Sequence, residues 1–238
     1  MNKSEIAVPQ ILYKYYPPER IESVLDEFTV RFSSPGSFND AFDSISVATA
    51  HGRMTDAKQT TMAQIYRMKL GVFCLTEDPN SHLMWVNYAA QHKGFVVAFK
   101  TGDEFFSSNG VVPRHVDYVA EPVILPAADE LSVQRAFIKS ADWEYEHEWR
   151  CARQFSNKEA RDVVFEPTVI NEIIVGWHME KHQVLYVLQQ VDVINSLLHC
   201  SITVSESVPD MRSWTFIRRP TTKSVCRECN GQGYVKKE

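Results

Sequence analysis

The sequence predicts an α+β fold: one main domain, with a mixed or antiparallel central sheet flanked by helices. Three observations lead there. Strand-like and helix-like runs mix without a regular βαβ rhythm, and no glycine-rich phosphate loop follows any strand. The chain is 44% hydrophobic and 23% charged, a balance that lets its 238 residues bury a sizeable core. The domain is expected over residues 8–219. Residues 220–238 shift to Thr, Lys, Cys, Gly and Glu and are expected to form a flexible tail.

The elements follow in order. QILYKYY (10–16) reads as a strand, stopped by Pro17-Pro18 before a helix from Glu19 with Ile21, Val24, Leu25 and Phe28 on one stripe. TVRFSS is a second strand. SPGSFNDAF demands turns, so residues 33–43 are expected to be an irregular loop. Residues 56–69 read as a weakly amphipathic helix and GVFCLTE (71–77) as a buried strand. SHLMWVNYAAQHKG fits a helix capped by Ser81, with Leu83, Met84, Tyr88 and His92 near one stripe and Gly94 past its end. GFVVAFK and RHVDYVA are strands, and a helix is expected over 129–141. DVVFEP, NEIIVGW, SITVSES and WTFIRRP are further strands, with a helix over 179–190.

Composition narrows the function classes. Twenty-five basic against thirty acidic residues give a net charge of −5, which offers no global attraction to a phosphate backbone. No apolar run approaches a membrane span, and MNKSEIAVPQ lacks the apolar centre of a signal peptide, so a cytoplasmic location is expected. Five cysteines, odd in number and mostly scattered, do not make a disulfide framework.

The stretch DWEYEHEWR (142–150) raises the chemical question. Read as a strand, its alternation puts Glu144, Glu146, Glu148 and Arg150 on one face and Trp143, Tyr145, His147 and Trp149 on the other. Read as a helix, the acids are a solvated stripe. The strict alternation favours the strand.

The order of LYKYY, RFSSPGSFNDAFD, FCLTED, LMWVNYAAQHKGF and WEYEHEWR resembles the domain-of-unknown-function family DUF2971 over residues 10–177. The chain departs from that pattern at Ala41, where a proline commonly stands, and at Asp43, where glutamate is usual. The resemblance implies a bacterial cytoplasmic protein associated with phage defence or mobile elements, and assigns no reaction.

Three readings of the chemistry stay open. More distantly, the arrangement resembles the ADP-ribosyltransferases, which transfer ADP-ribose from NAD. That likeness places Tyr13 or Tyr15 on the first strand, Thr76 on a middle strand, and Glu146 with Glu148 as the closing pair. Breaking the nicotinamide glycosidic bond builds positive charge on the ribose, so a fixed carboxylate at Glu148 would stabilise it while Glu146 orients or deprotonates the acceptor. Trp85 and Tyr88 would line the nicotinamide pocket, Asn39 and Asp40 would reach the ligand from their loop, and Arg150 would pair with the glutamates or the ligand. The second reading is a metal-dependent nuclease using Asp40, Asp43, Glu146 and Glu148, with Lys139 expected on the preceding helix. The third is a sensor or adaptor that binds a small molecule or a protein without catalysis, Arg150 and the glutamates forming a structural ion pair.

CRECNGQGYV (226–235) resembles one CxxCxGxG repeat of DnaJ-type chaperones, which implies zinc at Cys226 and Cys229. Two ligands are half a structural site. Completion would need Cys200 with His199, Cys151, or the same tail in a homodimer.

Overall fold

The computed structural model describes residues 6–40, 42–43, 69–108, 111–123, 133–156, 161–221, 223–225 and 232–234. In chain order the strands begin with β1 (Ile11–Tyr16), β2 (Thr29–Arg31), β3 (Leu70–Thr76), β4 (Phe95–Lys100), β5 (Arg114–His115), β6 (Asp117–Val119) and β7 (Ile138–Ser140). They continue with β8 (Glu148–Gln154), β9 (Asp162–Val164), β10 (Ile170–Val175), β11 (Thr203–Asp210), β12 (Thr215–Pro220), β13 (Lys223–Val225) and β14 (Gln232–Tyr234). The α-helices described are α1 (Ile21–Leu25), α2 (His82–Tyr88), α3 (Glu104–Ser108) and α4 (Lys181–Leu198). The α+β expectation holds. The helix expected over 56–69, except Lys69, lies outside the described residues, as do Cys226 and Cys229.

The contacts group the chain into two compact units, each assembled from three segments. One comprises Pro9–Thr29, Thr76–Phe105 and Val164–Glu238 and holds a mixed sheet in the order β12-β11-β10-β4-β1. Its middle strand β4 is buried on both faces from Phe95 to Phe99, which explains why FVVAFK shows no polar alternation. β10 and β11 run parallel, and a parallel pair needs a crossover; α4 supplies it. Val184, Val187, Leu188, Val191 and Ile194 recur at helical spacing and are the residues α4 buries. This helix runs eight residues past the expected end at 190. It stops where His199 turns left-handed at φ 52° and the Asn195 amide closes on both backbone groups of Ile202 at 2.9 Å.

The cap expected for α2 is present: the Ser81 hydroxyl accepts from the Met84 N–H at 3.4 Å. Met84 and Trp85 are buried while Leu83 is exposed. The stripe is therefore rotated by about one position from the expected one. Beyond the helix, Ala90, Gln91 and His92 all take positive φ, and a Cβ on Gly94 would stand 2.0 Å from the Tyr16 carbonyl oxygen, so only glycine fits there.

The other unit comprises Met1–Val8, Val30–Leu75 and Phe106–Val163. In it β3, β8 and β5 lie side by side, and β6 pairs in parallel with β7. Leu70, Val72, Ala136 and Phe137 form a buried cluster there. Two expectations fail in this unit. The segment expected to be a helix over 129–141 is, where described, a 3₁₀ turn at Val133–Phe137 followed by the strand β7. The acidic-aromatic stretch is likewise not one strand: Ala141–Glu146 is a 3₁₀ helix, and β8 begins only at Glu148. Ser140 is the physical reason for both. Its hydroxyl accepts from the Asp142 N–H at 3.4 Å, capping a new helical start that ends the preceding segment.

Candidate functional site

The site is built where that 3₁₀ helix meets β8. His147, between them, is left-handed at φ 44° and ψ 51°. The bend changes how the two glutamates meet. Instead of projecting in parallel from one strand face, Glu146 and Glu148 converge from a helix end and a strand start on the Nζ of Lys139. Lys139 stands at the centre of β7, so its place on a helix is corrected here. Its ammonium contacts Glu146 Oε2, lies 3.1 Å from Glu148 Oε2 and 3.6 Å from Asp43 Oδ2, and sits 4.9 Å from the centre of the Trp143 ring.

Arg150 completes the cluster. Its Nε donates to Glu148 Oε1 at 2.8 Å and its Nη2 to Glu148 Oε2 at 2.8 Å. Nη1 and Nη2 grip the two oxygens of Asp43 at 2.8 and 2.5 Å, and Nη1 also reaches the Ala136 carbonyl at 2.7 Å. A guanidinium has five N–H donors, and these five contacts match them one for one. Asp43, Lys139, Glu146, Glu148 and Arg150 are each no more than 5% exposed. Isolated, any of these ions would cost several kcal/mol to bury; together, the two positive charges set among three negative ones offset most of that cost.

The electrostatics decide which chemistry is available. Burial by itself would raise the Glu148 carboxyl, but Arg150 and Lys139 outweigh it and hold the group well below the usual carboxylate range. Burial likewise opposes charge on Lys139 and Arg150, and the neighbouring carboxylates outweigh it, so both are held above their ordinary values. Glu148 is thus an anion throughout the neutral range. It is a weak proton donor or acceptor near neutrality and a strong fixed charge. Tyr118 steadies the strand start by accepting the Glu148 N–H on its hydroxyl at 2.8 Å.

The remaining candidates divide between the two units. With the cluster lie Asn39, exposed, and Asp40, buried with Oδ1 accepting from the Phe42 N–H at 2.9 Å and Oδ2 without a partner. The other unit holds Tyr13, Tyr15, Thr76, Trp85 and Tyr88. There Tyr13 pairs in register with Thr76, which is buried and accepts the Asp78 N–H at 3.1 Å. Tyr15 and Trp85 meet edge to face at 5.3 Å, and their polar atoms are spent on the carbonyls of Asp78 and Pro79 at 2.9 and 3.0 Å. Tyr88 is half-buried.

Among the described residues no group of three or more His, Cys, Asp or Glu side chains is arranged to hold a metal. Cys151 is fully buried and burial pushes its thiol far up, away from the thiolate a zinc ligand must supply. No described helix is long and apolar enough to cross a membrane.

Sequence reasoning missed the role of Lys139 because it extended the preceding helix through Ser140; the pair Ser140 and Asp142 was the signal for a new helical start. The chain matches no curated protein, and no solved structure matches it either. One family model matches residues 84–151, narrower than the 10–177 over which motifs resemble the family but spanning Lys139, Glu146, Glu148 and Arg150: its description is protein of unknown function (DUF2971).

Proposed function

We propose that the chain transfers ADP-ribose from NAD, acting in the cytoplasm as a defence or toxicity effector, with Glu148 as the carboxylate that stabilises the reacting ribose. A single observation carries the reading: Glu148 is buried and kept ionised by Arg150 and Lys139. In the reaction the bond between the ribose carbon and the nicotinamide nitrogen breaks, nicotinamide leaves with the electron pair, and an acceptor nucleophile bonds to that carbon and gives up a proton. Positive charge develops on the ribose between these events. A preorganised anion lowers that barrier without transferring a proton, which is the one task the depressed Glu148 carboxyl is suited to. NAD enters here as substrate.

The test uses labelled NAD with a cell lysate and compares the wild-type chain with Glu148→Gln. Label on a lysate component with the wild type and at least a hundredfold less with the variant is the expected result, given the usual loss when one stabilising group is removed. No label with either protein overturns the proposal.

A second reading has its own support. Arg150 spends all its donors inside the cluster, and Glu148 accepts three of the bonds. A network so fully satisfied suits a sensor or adaptor module whose ion cluster holds the fold. Under that reading Glu148→Gln lowers the melting temperature and NAD shifts neither protein.

A further inference from the structure

Strand β12 is bonded on one side only: it pairs antiparallel with β11, and among the described residues no strand lies beyond it. Two observations fix the phase of that ladder. Pro209, which has no N–H to give, stands opposite Phe216, and the Thr221 N–H donates to the Val204 carbonyl at 2.9 Å. Ladder bonds in an antiparallel pair fall on alternate residues, so the odd-numbered positions of β12 bond to β11. Phe216 and Arg218 therefore turn their N–H and C=O groups away from the sheet, as a template for another strand. The strand is also divided along its length. Phe216 and Ile217 form an apolar half, with Ile217 42% exposed, and Arg218 and Arg219 form a cationic half. Phe216 is held by stacking on His92, with 4.6 Å between ring centres. Arg218 pairs with Glu172 at 2.7 Å and Arg219 stands opposite Glu206 in register, so acids within the sheet already flank both cations.

A strand with one apolar and one cationic half complements itself when turned end for end. Antiparallel pairing of β12 with a second copy about a twofold axis can be centred on Phe216, Ile217 or Arg218. Centred on Arg218, it sets like charges directly opposite, which is destabilising. Centred on Phe216, it needs Trp214 as a strand partner, but Trp214 is left-handed at φ 57° and its N–H is spent on the Asp210 carbonyl at 3.1 Å. Centred on Ile217, it sets Ile217 against its own copy, Phe216 beside Arg218 of the second copy, and Thr215 beside Arg219. The outward-facing Phe216 and Arg218 then exchange backbone bonds across the axis, and each Arg218 faces an aromatic ring instead of another arginine. We propose that β12 is the surface through which two copies of this chain pair edge to edge, centred on Ile217. An acidic extended peptide is the less suited occupant, because Glu172 and Glu206 already flank the arginines. A twofold pair uses up both edges, so the assembly closes as a dimer. The pairing depends on neither the transferase reading nor the tail cysteines.

Sedimentation of the full chain over a range of concentrations tests it. One six-residue strand per copy is a small interface, so a reversible dimer with a dissociation constant of about 1–100 μM is expected. Ile217→Lys puts like charges on the axis and should weaken the dimer by about tenfold or more. Ile217→Cys gives a second readout. Residues directly opposite in a pair that exchanges no backbone bonds stand about 4.5–5.5 Å apart at Cβ, near the reach of a disulfide. Mild oxidation of Ile217→Cys should therefore link two chains well beyond the wild-type level, whereas oxidation of Arg219→Cys should not. A wild type that stays monomeric up to about 100 μM overturns the proposal. Equal dimerisation by a folded Ile217→Lys, or no added linkage in Ile217→Cys, overturns it as well. So does a glutamate-rich peptide that binds β12 more tightly than a second copy does, since the edge would then take an acidic strand.

Discussion

Arg150 and Arg153 occupy one strand, three residues apart, and meet opposite fates. Arg150 is 1% exposed and held by Asp43, Glu148 and a carbonyl; its positive charge is favoured far beyond that of a free guanidinium. Arg153 is half-buried against two phenylalanine rings, and burial there works against its charge, with no carboxylate among the described residues to offset it. The difference teaches that burial alone does not make an arginine structural. What decides is whether acceptors are folded in with it. Where they are, the charge is locked; where the described residues supply none, burial works against the charge.

The sharpest way to break the contrast is Arg150→Leu. Removing the guanidinium leaves Asp43 and Glu148 buried with Lys139 as their one cationic partner among the described residues, and the loss should be about 3–5 kcal/mol, read as a lower denaturant midpoint or as failure to fold. Lys139→Met comes next. It strips the ammonium on which Glu146 and Glu148 converge and should cost about 3 kcal/mol. If Lys139→Met is as stable as the wild type, the cluster is not held by compensation of charge.

Acid titration sharpens the same point without a change in packing. Because the folded state depresses the Glu148 carboxyl, its stabilising contribution is complete above the unfolded carboxylate value of about 4.3 and is lost as pH falls toward the depressed one. Denaturant midpoints measured from about pH 6 down to about pH 3 should therefore fall steeply in the wild type and less steeply in Glu148→Gln. The smallest effect belongs to the other arginine. Arg153→Leu keeps the apolar contact with Phe155 and discards an uncompensated charge, so stability should stay within about 0.5 kcal/mol of the wild type. A loss of several kcal/mol there would mean that Arg153 is as structural as Arg150.

Much of the fold was legible from local pattern. The strands at LYKYY, GVFCLT, FVVAFK and EIIV announced themselves by apolar runs and β-branched residues, and the Ser81 cap by its hydroxyl before a helical stripe. The stretch around the site was read less well. The alternation in DWEYEHEWR imitates a strand, yet the Ser140 cap and the left-handed His147 make it a 3₁₀ helix and a bend, and a period of two cannot reveal a bend at one residue.

The sequence alone determined the class of fold, the presence of a paired glutamate beside an arginine, and the absence of any global basic character, because these follow from residue type and short-range spacing. Only the tertiary structure decided that Asp43, 107 positions away from Arg150, would be its bidentate partner, and that Lys139 would lie between two glutamates. The physical reason is desolvation. A buried charge must find its opposite within a few ångströms, and the segments that bring it there are chosen by packing over the whole chain and not by their neighbours in sequence.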